Sequence, residues 1–261
     1  MGAVVLAIVV VGGAYFMTRG KGTPDVPGAT TNINTSTRIE PKPEPLPPSP
    51  VFLTEPTFRA NAQHTGVYGT QKIAQPVPVW GFATGARVFS SPTIEGDTLY
   101  CGSNDGNLFA LSSATGTEKW RVTTGDVVGS SPAVAGGTVY FGSWDGSMYA
   151  ASKASGALIW KFPTGNSVGS SPTVVNGTVY FGSWDGNLYA VDALTGSEKW
   201  RFRTGDKVYS SSAVDGNHVY TGSNDGYLYA VDTSTGSPQC KYYVVGKVSP
   251  STALAAHTVL M

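Results

Sequence analysis

Charge is scarce in this sequence. Its 261 residues include 17 basic and 17 acidic side chains, so charged residues make up 13% and the formal net charge is zero. Ordinary soluble domains carry about 25% charged residues. With no excess of either sign, the composition excludes a large basic surface for nucleic acid. Cysteine is nearly absent as well: Cys101 and Cys240 are the only two. That excludes a disulfide scaffold and any cysteine-based zinc or iron–sulfur cluster. There is no nucleophile elbow, phosphate-binding loop, HExxH sequence or cytochrome attachment motif. His64, His218 and His257 are scattered. Nothing here assembles a catalytic constellation, and the expectation is that the chain is not an enzyme. Glycine, by contrast, numbers 33 and aromatic residues reach 11%. A glycine-rich, aromatic-rich, charge-poor chain reads as all-β with many turns.

Composition divides the chain into three parts. Residues 3–17 contain no charge. Fifteen residues are short for a membrane span, which needs about 20, but sufficient for the apolar core of an export signal. Residues 1–21 therefore read as an N-terminal membrane anchor or signal segment, expected as a hydrophobic helix. Residues 22–50 hold eight prolines and no aromatic residue. Such a stretch builds no core and reads as a disordered, extended tether. Residues 51–261 contain every tryptophan and read as the folded domain.

That domain is a repeat. Trp80, Trp120, Trp160 and Trp200 recur at intervals of 40, as do Tyr100, Tyr140, Tyr180 and Tyr220. Residues 121–160 and 161–200 agree at 22 of 40 positions. Periods near 40 mark propellers and solenoids. Within 161–200, turn signals at Thr164-Gly165-Asn166, Asn176-Gly177, Trp184-Asp185-Gly186 and Thr195-Gly196 separate four segments, 168–175, 178–183, 187–192 and 197–203. These are rich in β-branched and aromatic residues. Four short antiparallel strands per 40 residues make one propeller blade. The tryptophans, with Gly116, Gly156, Gly196, Asp192 and Asp232, form a recurring A-x-D-x-x-T-G-x-x-x-W pattern. Glycine lets an indole lie flat on the backbone, while Asp and Thr tie off turn amides. Trp120, Trp160 and Trp200 are therefore read as structural docking residues, with no catalytic role for the aspartates.

In these residues the sequence resembles the PQQ-repeat (quinoprotein-like, BamB-like) β-propeller family, whose members carry the same tryptophan-docking motif. Residues 56–66 also resemble the segment that opens many propellers of the family. The resemblance implies strands ordered from a central channel outward. It implies relatives of three kinds: outer-membrane protein assembly factors, quinone-dependent dehydrogenases, and extracytoplasmic sensor domains of membrane-bound kinases. The dehydrogenases hold PQQ between a tryptophan and a pair of adjacent cysteines, beside a calcium ion; this chain has no adjacent cysteines. No cofactor is expected, PQQ and calcium entering only if the chain is a dehydrogenase fragment. The pattern is also broken in places. Ser112 and Ser152 replace the docking Asp, Cys240 the docking Trp, and Ser212 the proline found at 92, 132 and 172. Cys101 and Cys240 are expected to be buried as small hydrophobes.

Residues 77–84 are expected to supply an outer strand, followed by four full sets of four strands and part of a fifth. On that count the ring does not close. The chain reads as a piece of a longer one, with self-association of open arcs as the alternative. Two sets of loops share one face. Trp144 and Trp184 stand at turn tips there, with Asn104 and Asn224 in the same register, and Asp126, Asn166 and Asp206 in the companion loops. A turn needs no tryptophan, so these seven are the candidate binding face, against the simpler reading that each indole caps its neighbour. The sequence thus predicts a membrane-anchored, extracytoplasmic propeller that binds a protein or peptide ligand as a scaffold or sensor.

Overall fold

The computed structural model describes residues 79–244, Gly246, Val248, 253–255 and 258–260. The anchor and linker read from residues 1–50 lie outside the described residues. Four four-stranded antiparallel sheets follow one another along the chain. The first comprises β1 (Thr93–Glu95), β2 (Thr98–Gly102), β3 (Asn107–Ser112) and β4 (Glu118–Thr123). The second comprises β5 (Ala133–Ala135), β6 (Thr138–Ser143), β7 (Ser147–Ser152) and β8 (Leu158–Pro163). The third comprises β9 (Thr173–Val175), β10 (Thr178–Gly182), β11 (Asn187–Asp192) and β12 (Glu198–Arg203). The fourth comprises β13 (Ala213–Asp215), β14 (His218–Gly222), β15 (Tyr227–Asp232) and β16 (Pro238–Tyr243). A hairpin of β17 (Ala253–Ala255) and β18 (Thr258–Leu260) comes last. No helix occurs among the described residues. The first strands of successive sheets meet, β1 on β5, β5 on β9, β9 on β13 and β13 on β17. These are the blades of a β-propeller.

Both faces of each blade are covered, so the middle strands are nearly continuous apolar runs. Alternate side chains serve opposite neighbours. In β7, Met148 and Ala150 join a cluster with Val179, Phe181 and Tyr189 of the third blade. Tyr149 and Ala151 join Tyr100, Leu108 and Ala110 of the first. The three largest clusters therefore each draw on two blades, while smaller ones lie in the fourth blade and in the first with the segment before it. The hairpin turns follow from local chemistry. Asn176 and Gly177 both have positive φ, 49° and 68°, as a two-residue type I′ turn requires.

Three kinds of contact lock neighbouring blades. The first is the tryptophan dock, which reaches across to the next blade. The Trp160 ring packs flat on Gly196, where a Cβ would lie only 2.8 Å from it, and its indole N–H donates to the Ala193 carbonyl at 3.0 Å. Tyr140 donates its hydroxyl to the same carbonyl at 3.1 Å. Trp120 on Gly156 and Trp200 on Gly236 repeat the arrangement. Asp192 and Asp232 shape the receiving turns: each accepts two backbone N–H groups and a threonine hydroxyl. The second contact is a serine ladder that was not read from the sequence. The backbone N–H groups of Ser91, Ser131 and Ser171 donate to the hydroxyls of Ser131, Ser171 and Ser211, each at 2.9 Å. The third is steric. Gly182 lies under Val208, which would stand 2.3 Å from a Cβ there.

The structure corrects three expectations. The first strand of each blade is shorter than the segment assigned to it: residues 168–172 are not strand. The cause is Ser170, whose buried hydroxyl accepts the Gly182 N–H and donates to the Gly182 carbonyl, both at 2.8 Å. A side chain there takes the place of a backbone rung. Of the outer strand expected at 77–84, the described part is not strand. Residues 79–84 have no strand, although Trp80 docks on Gly116 and donates to the Ser113 carbonyl at 2.9 Å. Finally, Cys101 is buried but Cys240 is exposed, as is all of β16: each docked tryptophan is covered by a turn of the following blade, and no described turn covers β16.

Replacing Trp160 by Ala is expected to destabilise the domain by about 3–5 kcal/mol in urea titrations, the range for large buried aromatics. Gly196→Ala should cost about 1–3 kcal/mol by pressing a methyl into the same ring. Ser170→Ala should cost about 1–3 kcal/mol and speed amide exchange at Gly182, whose N–H loses its acceptor.

Candidate functional site

The loop face is built from two sets of turns that interlock. Residues 124–128 leave the first blade and enter the second, and they are bonded to both. The Thr124 hydroxyl donates to the Gly106 carbonyl of the first blade at 3.0 Å. The Gly125 N–H donates to the Asp145 carboxylate of the second at 3.2 Å. Trp144 N–H then donates to the Val127 carbonyl at 2.9 Å. The same stitches recur 40 and 80 residues later through Asp185 and Asp225. The aspartates of the Asp-Gly turns are thus tied into the scaffold. Asp145 and Asp225 also accept the hydroxyls of Tyr149 and Tyr229. Burial raises the Asp145 carboxyl, but the Tyr149 hydroxyl, the Gly125 N–H and Lys161 at 3.2 Å outweigh it and hold it below the ordinary carboxylate range. Asp105 and Asp225 are lowered in the same way, donors outweighing burial.

The candidate residues separate into two groups on this face. Trp144 and Trp184 come together, their ring centroids 5.4 Å apart at 45°. Asp126, Asn166 and Asp206 do not join them. They are exposed, and each folds back to accept the N–H of the residue that follows it, Val127, Ser167 and Lys207. Asn104 and Asn224 hold the turn positions equivalent to the two indoles, half-buried. Their backbone N–H groups donate to Arg87 and Lys207.

Two aromatic residues missed by sequence reasoning complete the group. Tyr209 lies 5.6 Å from Trp184, centroid to centroid, at 31°, and Phe89 joins Trp144 and Tyr209 in lining one cavity of about 320 Å³. Gly129, Gly169, Ser171 and Ser211 form the rest of its wall. The aromatics obey a rule of substitution. Positions 89, 129, 169 and 209 are equivalent, and so are 104, 144, 184 and 224; the first set reads Phe, Gly, Gly, Tyr and the second Asn, Trp, Trp, Asn. Each blade gives one aromatic ring, either from the approach to its first strand or from its second turn, never both. Where the ring comes from the turn, glycine clears its way. A Cβ on Gly129 would lie 3.2 Å from Trp144 Nε1, and one on Gly169 3.2 Å from Trp184 Nε1. Reading the two registers side by side would have found the pattern.

The site is rich in unused donors. Both indole N–H groups are shielded from water and have no acceptor among the described residues. Lys207 Nζ rests 4.7 Å over the Trp184 ring. No group of three His, Cys, Asp or Glu residues converges among the described residues. Cys101 and Cys240 stand on the first and fourth blades. These residues do not fit the calcium and paired-cysteine quinone site that the family's dehydrogenases imply.

A family model described as outer membrane protein assembly factor BamB matches residues 110–255. BamB from Moraxella catarrhalis superimposes with a TM-score of 0.62 at 23% identity, over 69% of this chain and 57% of its own. A quinohemoprotein alcohol dehydrogenase from Comamonas testosteroni gives 0.67 at 18% identity, over 80% of this chain and 45% of its own. The computationally designed Ika8 protein gives 0.63 at 18% identity. The chain thus spans little more than half of the length of that BamB, and at these identities the likeness is one of fold. No protein of curated function matches the sequence.

The lowered aspartates set the response to acid. A depressed carboxyl stabilises the fold fully above its unfolded value of about 4, and that contribution is lost as pH falls through the folded value. Stability should therefore drop below about pH 4. Asp145→Asn should cost about 1 kcal/mol at pH 7 and flatten the acid limb, measured by urea midpoints between pH 7 and pH 2.5.

Proposed function

The chain belongs to the PQQ-repeat propeller family of the outer membrane protein assembly factor BamB, and from that premise we propose that it is a non-catalytic binding module. It works on the extracytoplasmic side of a membrane, tethered by residues 1–21 through the proline-rich stretch. Its ligand is a protein or peptide, taken at the loop face. One observation supports this above the others: Phe89, Trp144 and Tyr209 line an open cavity, with Trp184 in ring contact with both Trp144 and Tyr209. Phe89 is 65% exposed and Tyr209 40%. Exposed rings clustered with polar donors are the usual anchors of protein recognition. The scaffold beneath them is stitched by backbone and serine hydrogen bonds, so the cluster is held in place before a partner arrives, and little ordering cost falls on binding.

The reading is tested in the organism's own membranes with the full chain. A photo-crosslinking amino acid placed at Tyr209 should yield a discrete adduct, and Trp144→Ala with Trp184→Ala should reduce its yield at least tenfold. The double variant should keep a cooperative thermal melt, because the docking tryptophans are untouched. An adduct that survives the double variant would place the interface elsewhere. Deleting residues 1–21 should release the protein from the membrane fraction.

A further inference from the structure

The last strand of each blade has a partner strand on one side only among the described residues. Proteins guard such edges with charge or proline. In β4 the guards are Glu118 and Lys119, ion-paired to Arg121 and Asp97. In β12 they are Glu198 and Lys199, paired to Arg201 and Asp192. β16 begins on Pro238. β8 departs from all three. Leu158 and Ile159 stand where β4 and β12 have their Glu-Lys pair. Gly137 and Ser152 stand at the positions of Asp97 and Asp192, the carboxylates that receive those lysines. The lysine and its acidic partner are thus lost together. The remaining charge of the strand, Lys161, is drawn to Asp145 of its own blade at 3.2 Å.

The next blade adds to this apolar edge. Leu194, in the turn that receives Trp160, is 81% exposed, with Leu158 at 55% and Ile159 at 47%. The equivalent turn residues elsewhere are Ala114, Ala154 and Ser234. Ile159 and Leu194 line one cavity of about 270 Å³, with Tyr140 and Ala193 in its wall. The one carboxylate lining it, Asp192, is already held by Thr195 and Lys199. An uncharged edge is best met by another uncharged edge. Among the four outer strands of this chain, β8 alone is of that kind. β4 and β12 would set Glu and Lys against Leu and Ile, and β16 would bring a proline with no N–H to donate. We infer that two copies of the chain pair edge to edge through β8, antiparallel about a two-fold axis. Two blades of four strands then form one continuous sheet. The contact is isologous, so it closes at two copies and leaves no unguarded edge free. Apolar side chains of each copy cover the groove between Ile159 and Leu194 of the other. One strand pair buries less than the roughly 1,200 Å² of a stable complex, so the dimer is weak, with a dissociation constant of about 100 μM. It forms at the rim, independently of any ligand taken at the loop face.

The test uses the full chain in a neutral detergent, with a reductant that keeps the exposed Cys240 from cross-linking. Light scattering should show the protein mass rising from monomer toward dimer between about 10 μM and about 1 mM. Over the same range amide exchange in β8 should slow about fivefold, while β4 and β12 exchange as before. Ile159→Lys installs the residue found at 119 and 199, so it should keep the cooperative melt. It should raise the dissociation constant at least about tenfold, because like charges then face each other across the pair. A monomer throughout the range would overturn the inference. So would a dimer that Ile159→Lys leaves unchanged, which places the contact in another segment. A dimer whose β8 amides exchange as fast as the monomer's would equally overturn it, since no strand has then been added to that edge.

Discussion

Everything in this molecule depends on the contact between one blade's tryptophan and the next blade's glycine. A single four-stranded sheet of this size has two apolar faces and cannot bury either alone. The indole of Trp160 solves this by crossing to Gly196, where the absence of a side chain and a φ of 73° let it lie on the backbone. Its N–H and the Tyr140 hydroxyl then close on one carbonyl. The contact fixes the distance and angle between blades at their outer side, and the hydrophobic clusters fill the space this leaves.

The serine ladder does for the inner side what the tryptophans do for the outer. Each inner segment needs hydrogen-bond partners for its backbone, yet neighbouring blades approach there too closely for larger side chains. Serine supplies a hydroxyl within that space. At position 170 it replaces a rung inside the blade, and at 171 it joins two blades. The pair Ser-Ser thus performs two tasks with adjacent residues, one facing inward along the sheet and one across it.

The candidate binding face is a by-product of the same regularity, altered at two blades. A ring of equivalent positions offers one aromatic per blade, and moving the source from the inner approach to the turn at Trp144 and Trp184 changes what the cavity presents. Phenylalanine and tyrosine bring a ring alone or a ring with a hydroxyl; tryptophan brings an N–H donor placed against a glycine. The repeat supplies the frame, and local departures from it supply the chemistry.

Much of this was open to reading before any coordinates. The 40-residue period, the Asn-Gly and Asp-Gly turns and the tryptophan register determine the blade, its strand order and its docking residues, because those features are local and recur. The pairing of Trp144 with Trp184 was also legible as an anomaly, since a turn does not need tryptophan. What the tertiary structure alone decided is which parts of different repeats meet. The dock reaches forward to the next blade's glycine, serine hydroxyls replace backbone rungs, and Phe89 and Tyr209 join the indoles while Asp126, Asn166 and Asp206 turn away. The dock and the inter-blade serine contacts join residues 33 and 40 positions apart. Their geometry comes from the angle between sheets, which no single repeat contains.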